Sequence, residues 1–204
     1  AFEPTYAAVI ESLDDTIGLL LRKLDALGLR TNTIVIFTSD NGGLHVPEGA
    51  HKRITDNSPY RAGKGFLYEG GLRVPLIARW PGHVPAGKVV DTPVINTSWF
   101  ATLFELCDLK MRQEFDAPSF ARALLGKRQR VRPMFWHFPH YNNQGGRPGG
   151  AGRDGDWKFI EYYDTGAREL YNLATDSGES QNIAARQPDL IAEMSRRLHG
   201  WIKS

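Results

Sequence analysis

The sequence predicts an α/β fold followed by a smaller α+β portion, and three observations carry that prediction. A long apolar stripe at helical spacing leads into a β-branched run without alternation. A second run of the same kind follows a long Gly-rich loop, and the last third of the chain turns to short aromatic strands closed by one amphipathic helix. Composition agrees with a folded chain: of 204 residues, 41% are hydrophobic and 24% charged, with a net charge of +2. That balance is too apolar for disorder, and no apolar run reaches the roughly 18 residues a membrane helix needs. Two excess positive charges do not make a basic face, so nucleic acid is not an expected partner.

Taken in order, apolar residues at Tyr6, Val9, Ile10, Leu13, Ile17, Leu20, Leu21, Leu24 and Leu27 step by three and four along a helix of about six turns. Glu3, Glu11, Asp14 and Asp15 load its front half, Arg22 and Lys23 its back half, and Gly28 supplies the stop. Residues 33–38 then read as a strand buried on both faces in a parallel sheet. Residues 39–71 hold only a loop rich in Gly, Pro, His and Asp, and 74–80 form a second buried strand ended by Pro81-Gly82. Asn96-Thr97-Ser98 can cap a helix carrying Trp99, Leu103, Phe104 and Leu106, and a shorter helix is expected over 119–125.

After a basic link at 127–132 the character changes. Residues 134–138 read as an aromatic strand, 141–152 as a Gly/Asn/Pro loop, and 157–163 as a half-exposed strand turned by Asp164-Thr165-Gly166 into a partner at 169–171. Pro188 opens a final amphipathic helix with Leu190, Ile191, Met194, Leu198 and Trp201. The expected organisation is therefore 1–126 as part of an α/β domain and 127–204 as a small antiparallel-sheet subdomain. Two strands cannot cover the long first helix, which points to a larger sheet whose remainder lies outside these residues.

Chemistry concentrates in two segments. Asp40-Asn41-Gly42-Gly43 follows the first strand directly, at the carboxyl edge where open α/β sheets bind ligands. The carboxylate and amide oxygens of Asp40 and Asn41 are hard donors suited to Ca²⁺ or Mg²⁺, although the same four residues also make a good strand-ending turn. In Gly63-Lys64-Gly65, a lysine between glycines can bring a point charge close to an oxyanion. No Ser/Thr follows Lys64, so this is not a Walker loop, and taken alone it reads as a flexible surface loop.

Together, Thr38-Ser39-Asp40-Asn41-Gly42-Gly43, Gly63-Lys64-Gly65 and Tyr68-Glu69-Gly70-Gly71-Leu72-Arg73-Val74-Pro75 resemble the carboxyl-terminal half of the type I, formylglycine-dependent sulfatases of the alkaline phosphatase superfamily. Gly155-Asp156-Trp157-Lys158, Glu169-Leu170-Tyr171-Asn172-Leu173, Gly178-Glu179 and Asn182 extend the likeness through the family's small C-terminal domain. The resemblance implies that Asp40 and Asn41 are two ligands of a divalent cation, usually Ca²⁺, and that Lys64 contacts a sulfate oxygen. It implies a sulfated carbohydrate or aryl sulfate as substrate, a hydrated formylglycine as nucleophile, and a periplasmic or extracellular location.

The departure is equally informative. The family's nucleophile arises within C/S-x-P-x-R, and this sequence has no such motif; its nearest approach, Asn57-Ser58-Pro59-Tyr60-Arg61, carries Asn where Cys or Ser is required. The single cysteine, Cys107, excludes an internal disulfide and an all-cysteine metal site, and reads as an ordinary buried thiol. The chain opens Ala1-Phe2-Glu3-Pro4, without the features of a targeting segment. It is expected to be a fragment holding half of an active site, with the formylglycine, the other metal carboxylates and the N-terminal half of the same sulfatase as its complement. A phosphoesterase or phosphonate hydrolase of the same superfamily, or a non-catalytic module binding Ca²⁺ or sulfated glycan, are the alternatives.

His45, His137 and His140 are candidates for sugar contact or proton transfer, with His45, His140 and the loop 142–150 preferred for substrate binding. His51 and His83 read as surface residues. The run Lys127, Arg128, Arg130 and Arg132 reads as a solvated link, and Asn96-Thr97-Ser98 matches a glycosylation acceptor that helix capping explains equally well.

Overall fold

A computed structural model describes residues 3–47, 53–110 and 115–204. Its elements run α1 (Pro4–Ala26), β1 (Val35–Thr38), α2 (Glu69–Leu72), β2 (Leu76–Arg79), α3 (Trp99–Leu106), α4 (Ala121–Leu124), β3 (Met134–Phe138), β4 (Gly149–Asp154), β5 (Trp157–Tyr162), β6 (Arg168–Asn172) and α5 (Pro188–Ile202), with 3₁₀ turns at Asn96–Ser98 and Ala184–Arg186. They fall into two compact units. One holds Glu3–Phe37 and Leu76–Val131, the other Thr38–Pro75 and Arg132–Ser204, so the loop after β1 clusters with the C-terminal sheet rather than with the helix that precedes it.

In the first unit α1 starts at Pro4, whose fixed φ suits the first helical position, and stops before Gly28 at φ +69°. None of its residues is buried: Val9 is 58% exposed and Leu20 51%. The two strands β1 and β2 pair in a two-stranded sheet. They were expected to be buried on both faces, and they are not: Val35 and Ile36 are half-buried and Ile77 is 61% exposed. The reason is arithmetic, because two strands and one helix supply too little surface to cover each other.

Helix α3 begins after the 3₁₀ turn, and no side chain caps it, against the expectation for Asn96-Thr97-Ser98. Its order comes from inside: Thr102 Oγ1 donates to Ser98 O at 2.7 Å and accepts the Phe120 N–H at 3.0 Å, while Trp99 meets Phe120 edge-on at 4.6 Å. Cys107 is exposed, not buried as expected, because α3 ends at Leu106 and leaves it at the C-cap rather than on a helix face. His83 stacks on Trp80 at 3.9 Å with an interplanar angle of 12°, and His51 lies outside the described residues.

The second unit is built on an antiparallel sheet in the order β3-β4-β5-β6, registered through Trp136↔Ala151, Ala151↔Ile160 and Phe159↔Leu170. Strand β4 lies in the stretch whose Gly content reads as loop. Glycine is there for room: a Cβ on Gly150 would sit 2.4 Å from Tyr163 Oη and 2.9 Å from Leu198 Cδ2. Strand β5 is likewise not half-exposed but buried on both faces, because it has a cover on each. Phe159 and Leu170 pack under Ile191, Met194 and Leu198 of α5, while Ile160, Ala151 and Tyr171 pack against Leu67 and Tyr68 from the loop that leads into α2.

Leu198 is fully buried against β5. Its truncation to Ala should therefore cost about 2–5 kcal/mol in denaturant unfolding, whereas Leu19→Ala on the exposed side of α1 should shift the midpoint little.

Candidate functional site

All six residues that the sequence nominates, Asp40, Asn41, His45, Lys64, His137 and His140, lie in the second unit. Asp40 and Asn41 follow β1. Asp40 Oδ1 accepts the Asn41 N–H at 3.0 Å, and Asn41 Nδ2 donates to Gly42 O at 3.1 Å. Among the described residues no donor reaches Asp40 Oδ2 or Asn41 Oδ1, so one carboxylate oxygen and one amide oxygen stand without a protein partner. That donor set fits a hard cation such as Ca²⁺ or Mg²⁺ in part, since such ions take six or more oxygens. No cluster of three or more His, Cys, Asp or Glu side chains occurs among the described residues, so the remaining oxygens would have to come from elsewhere.

The second loop is stitched onto the first. Lys64 N–H donates to Gly43 O at 3.1 Å and Gly42 N–H to Gly71 O at 2.9 Å. Asn57 sits between them: its Oδ1 accepts the Gly43 N–H at 3.0 Å, and its Nδ2 donates to Gly43 O and Ala62 O, each at 2.9 Å. Gly63 is required by this contact, because a Cβ there would lie 2.2 Å from Gly43 O. The result is that Lys64, whose side chain is exposed, emerges from backbone hydrogen-bonded to the Asp40-Asn41-Gly42-Gly43 turn.

His45 stacks face to face on Phe66, with ring centroids 5.3 Å apart and an interplanar angle of 6°. Burial, and then the nearby Arg53, hold its pKa below the ordinary histidine value, so the ring is neutral at pH 7. Its Nδ1 is buried and has no hydrogen-bond partner among the described residues. His140 is exposed and meets the Phe138 ring edge-on at 6.0 Å; no contact joins it to Lys64 or Asp40. His137 pairs through Nδ1 with Tyr163 Oη at 2.9 Å and is occupied structurally.

Beneath Lys64 lies a polar network of which only isolated letters are legible in the sequence. Lys158, fully buried on β5, donates to Glu69 Oε1 at 2.9 Å and stands 3.4 Å from Glu179 Oε1, an ion-pair distance without hydrogen-bond geometry. Glu179 Oε2 accepts the Glu69 N–H at 2.6 Å, which gives the first turn of α2 an anionic cap. Arg153 approaches Glu69 Oε2 at 3.5 Å, so two cations face two carboxylates. Arg61 donates to Glu179 O at 2.9 Å and Tyr171 Oη at 3.0 Å, with its guanidinium 3.9 Å over the Tyr68 ring. Tyr68 and Tyr171 both donate to Glu169 at 2.9 Å, and burial pushes both phenols far up, so they remain donors at any physiological pH. The alternation Lys158, Ile160, Tyr162 on the covered face of β5 was the one available signal.

Comparisons with known proteins come to bear on this geometry. Residues 3–109 match the family profile described as Sulfatase, and 62–204 that described as N-sulphoglucosamine sulphohydrolase, C-terminal. The chain is 37% identical over 224 residues to a sulfatase from Formosa agariphila, covering 97% of this chain and 39% of the relative. It is 34% identical over 217 residues to an N-acetylgalactosamine-6-O-sulfatase from Bacteroides thetaiotaomicron, covering 95% and 41%. It superposes on the crystal structure of Ps i-CgsB in complex with k-i-k-neocarrahexaose with a TM-score of 0.82 at 28% identity, covering 97% of this chain and 42% of that one. The chain thus spans about two fifths of the length of the relatives it matches.

The buried network makes a pH-dependent prediction. Burial raises the Glu179 pKa above the ordinary 4.5 despite Lys158 beside it. The folded protein therefore holds that proton more tightly than the unfolded chain, and its contribution to stability is full below the ordinary value and declines as pH rises through the raised one. Glu179→Gln should abolish that decline in urea midpoints measured across pH. Lys158→Met, which leaves Glu179 buried without its ion-pair partner and Glu69 with Arg153 alone, should cost about 3–5 kcal/mol at neutral pH.

Proposed function

This chain belongs to the sulfatase family of the alkaline phosphatase superfamily, and on that premise we propose that it serves the hydrolysis of sulfate esters on carbohydrates, with Lys64, Asp40 and Asn41 as its share of the active site. The observation that supports the proposal is the 3.1 Å bond from Lys64 N–H to Gly43 O, which joins the backbone of Lys64 to the turn that carries Asp40 and Asn41. The Lys64 ammonium offsets negative charge on a sulfate oxygen, an electrostatic contribution that grows as charge develops in the transition state. Asp40 Oδ2 and Asn41 Oδ1 are the oxygens that would hold a divalent cation, Ca²⁺ by preference and Mg²⁺ otherwise; when bound, that ion supplies Lewis-acid stabilisation of charged oxygen.

The attacking group is a formylglycine contributed by sulfatase sequence outside these 204 residues, since C/S-x-P-x-R is absent from them. His45 offers a neutral imidazole stacked on Phe66 of Lys64's loop, and with the exposed His140 just beyond β3 it is assigned to substrate binding. A sulfated carbohydrate is favoured because the Bacteroides relative is named for N-acetylgalactosamine 6-sulfate and the Ps i-CgsB structure holds a neocarrahexaose.

In the full-length enzyme Lys64→Ala should lower kcat/KM for N-acetylgalactosamine 6-sulfate or 4-nitrophenyl sulfate by about 10²–10³-fold with the thermal midpoint unchanged, because the side chain is exposed. An unchanged kcat/KM refutes the role. The isolated 204 residues should release no sulfate from either ester above the uncatalysed rate, and turnover by the purified chain would contradict the placement of the nucleophile elsewhere.

A further inference from the structure

We propose that Asn142 is a positioning residue for Lys64, acting through the carbonyl of Gly65; this rests on the reading of Lys64 as the sulfate-contacting cation. Asn142 Nδ2 donates to Gly65 O at 2.9 Å, across 77 residues of sequence. The same side chain closes its own loop, with Oδ1 accepting the Gln144 N–H at 2.9 Å and the Gly146 N–H at 3.0 Å. Gly65 needs such a hold. It sits at φ +89° immediately after Lys64, inside the tight turn that Phe66 N–H closes on Gly63 O at 3.0 Å, and Asn142 adds a hold on that turn from a distant segment.

The loop that carries Asn142 is braced on both sides of the contact. Arg147 makes two bonds to Asp164, at 2.9 and 3.0 Å, and Tyr141 Oη donates to Asp164 Oδ2 at 3.0 Å. Residues 142–146 therefore form a closed bridge pinned to the turn after β5, with its inner side laid on Gly65. The fit is tight enough that a Cβ on Gly146 would lie 1.9 Å from Gly65 O. Lys64 is thus held from both flanks by amide side chains: Asn57 fixes the backbone before it through Gly43 and Ala62, and Asn142 fixes the backbone after it. Asn57 belongs to the same loop as Lys64, whereas Asn142 belongs to the β3–β4 connection that also carries His140, so this bond sets the lysine relative to that connection.

The test is a double-mutant cycle in the full-length enzyme, read on N-acetylgalactosamine 6-sulfate and 4-nitrophenyl sulfate, with hydrogen exchange of the 60–68 backbone measured in parallel. Asn142→Ala should lower kcat/KM about 10-fold in the native background, since small displacements of a charge from its target are costly, and less than about 2-fold when Lys64 is already Ala. Asn142→Asp keeps the loop-closing oxygen and replaces the donor to Gly65 with a carboxylate oxygen that repels the Gly65 carbonyl, so it should lower kcat/KM at least as much as Asn142→Ala and accelerate exchange at 64–66. Equal losses in both Lys64 backgrounds, or unchanged exchange at 64–66, overturn the positioning role and leave the reading of Lys64 intact. If Lys64→Ala itself changes nothing, the reading of Lys64 falls and the positioning role falls with it.

Discussion

The second unit depends on a buried charge placed where charge is expensive. Lys158 is withdrawn wholly from water, and an uncompensated ammonium there would deprotonate or unfold the sheet around it. Its compensation comes from Glu69 and Glu179, neither of which is near it in sequence. Glu69 opens α2, four residues that could not persist alone as a helix, and Glu179 follows β6. Satisfying one lysine therefore fixes a loop, a helical turn and a strand exit in a single arrangement. A hydrophobic residue at 158 with apolar partners would cost less to bury, so the network is better understood as setting position than as adding stability.

What it positions is the backbone of residues 61–71. Arg61, just ahead of Lys64, is drawn into the same system through Tyr171 and the Glu179 carbonyl, and Tyr68, just after it, through Glu169 and Tyr162. Lys64 is thus an exposed charged side chain on a loop hydrogen-bonded along both flanks. Its backbone is tied to the Asp40-Asn41-Gly42-Gly43 turn through Gly43 O, with Asn57 holding Gly43 and Ala62 ahead of the lysine and Asn142 holding Gly65 after it. A site that must present a cation and oxygen donors at fixed separation to a small anion needs that rigidity, because misplacement forfeits the electrostatic gain.

Much of this was legible in the sequence, and the misses share causes. The helices α1, α3 and α5 and the strands β3, β5 and β6 announce themselves by period, because one face of each was patterned for a partner. The strand β4 did not, since Gly149, Gly150 and Gly152 are there to admit Tyr163, Leu198 and neighbouring backbone, and the absence of side chains reads as loop. The burial of β5 was missed because its outer cover is the irregular segment 61–72, which carries no period. The exposure of α1, β1 and β2 follows from the two-strand deficit, and Cys107 was misjudged because helix periodicity was extended one residue past the end of α3. Asp40, Asn41 and Lys64 were nominated by motif, while Asn57 and Asn142 carry no signal beyond the ordinary frequency of Asn in turns. Their roles exist only once distant carbonyls are brought to them.

The central claim is that Asp40, Asn41 and Lys64 form one anion-and-cation site on this scaffold. The most direct measurement is a crystal structure of the full-length protein grown with Ca²⁺ and inorganic sulfate, with the metal identified by its anomalous signal. The account predicts Ca²⁺ bound by Asp40 and Asn41 side-chain oxygens, a sulfate oxygen within hydrogen-bonding distance of Lys64 Nζ, and Asn142 still donating to Gly65 O. Ca²⁺ or sulfate bound elsewhere, with Lys64 turned to solvent, would contradict it.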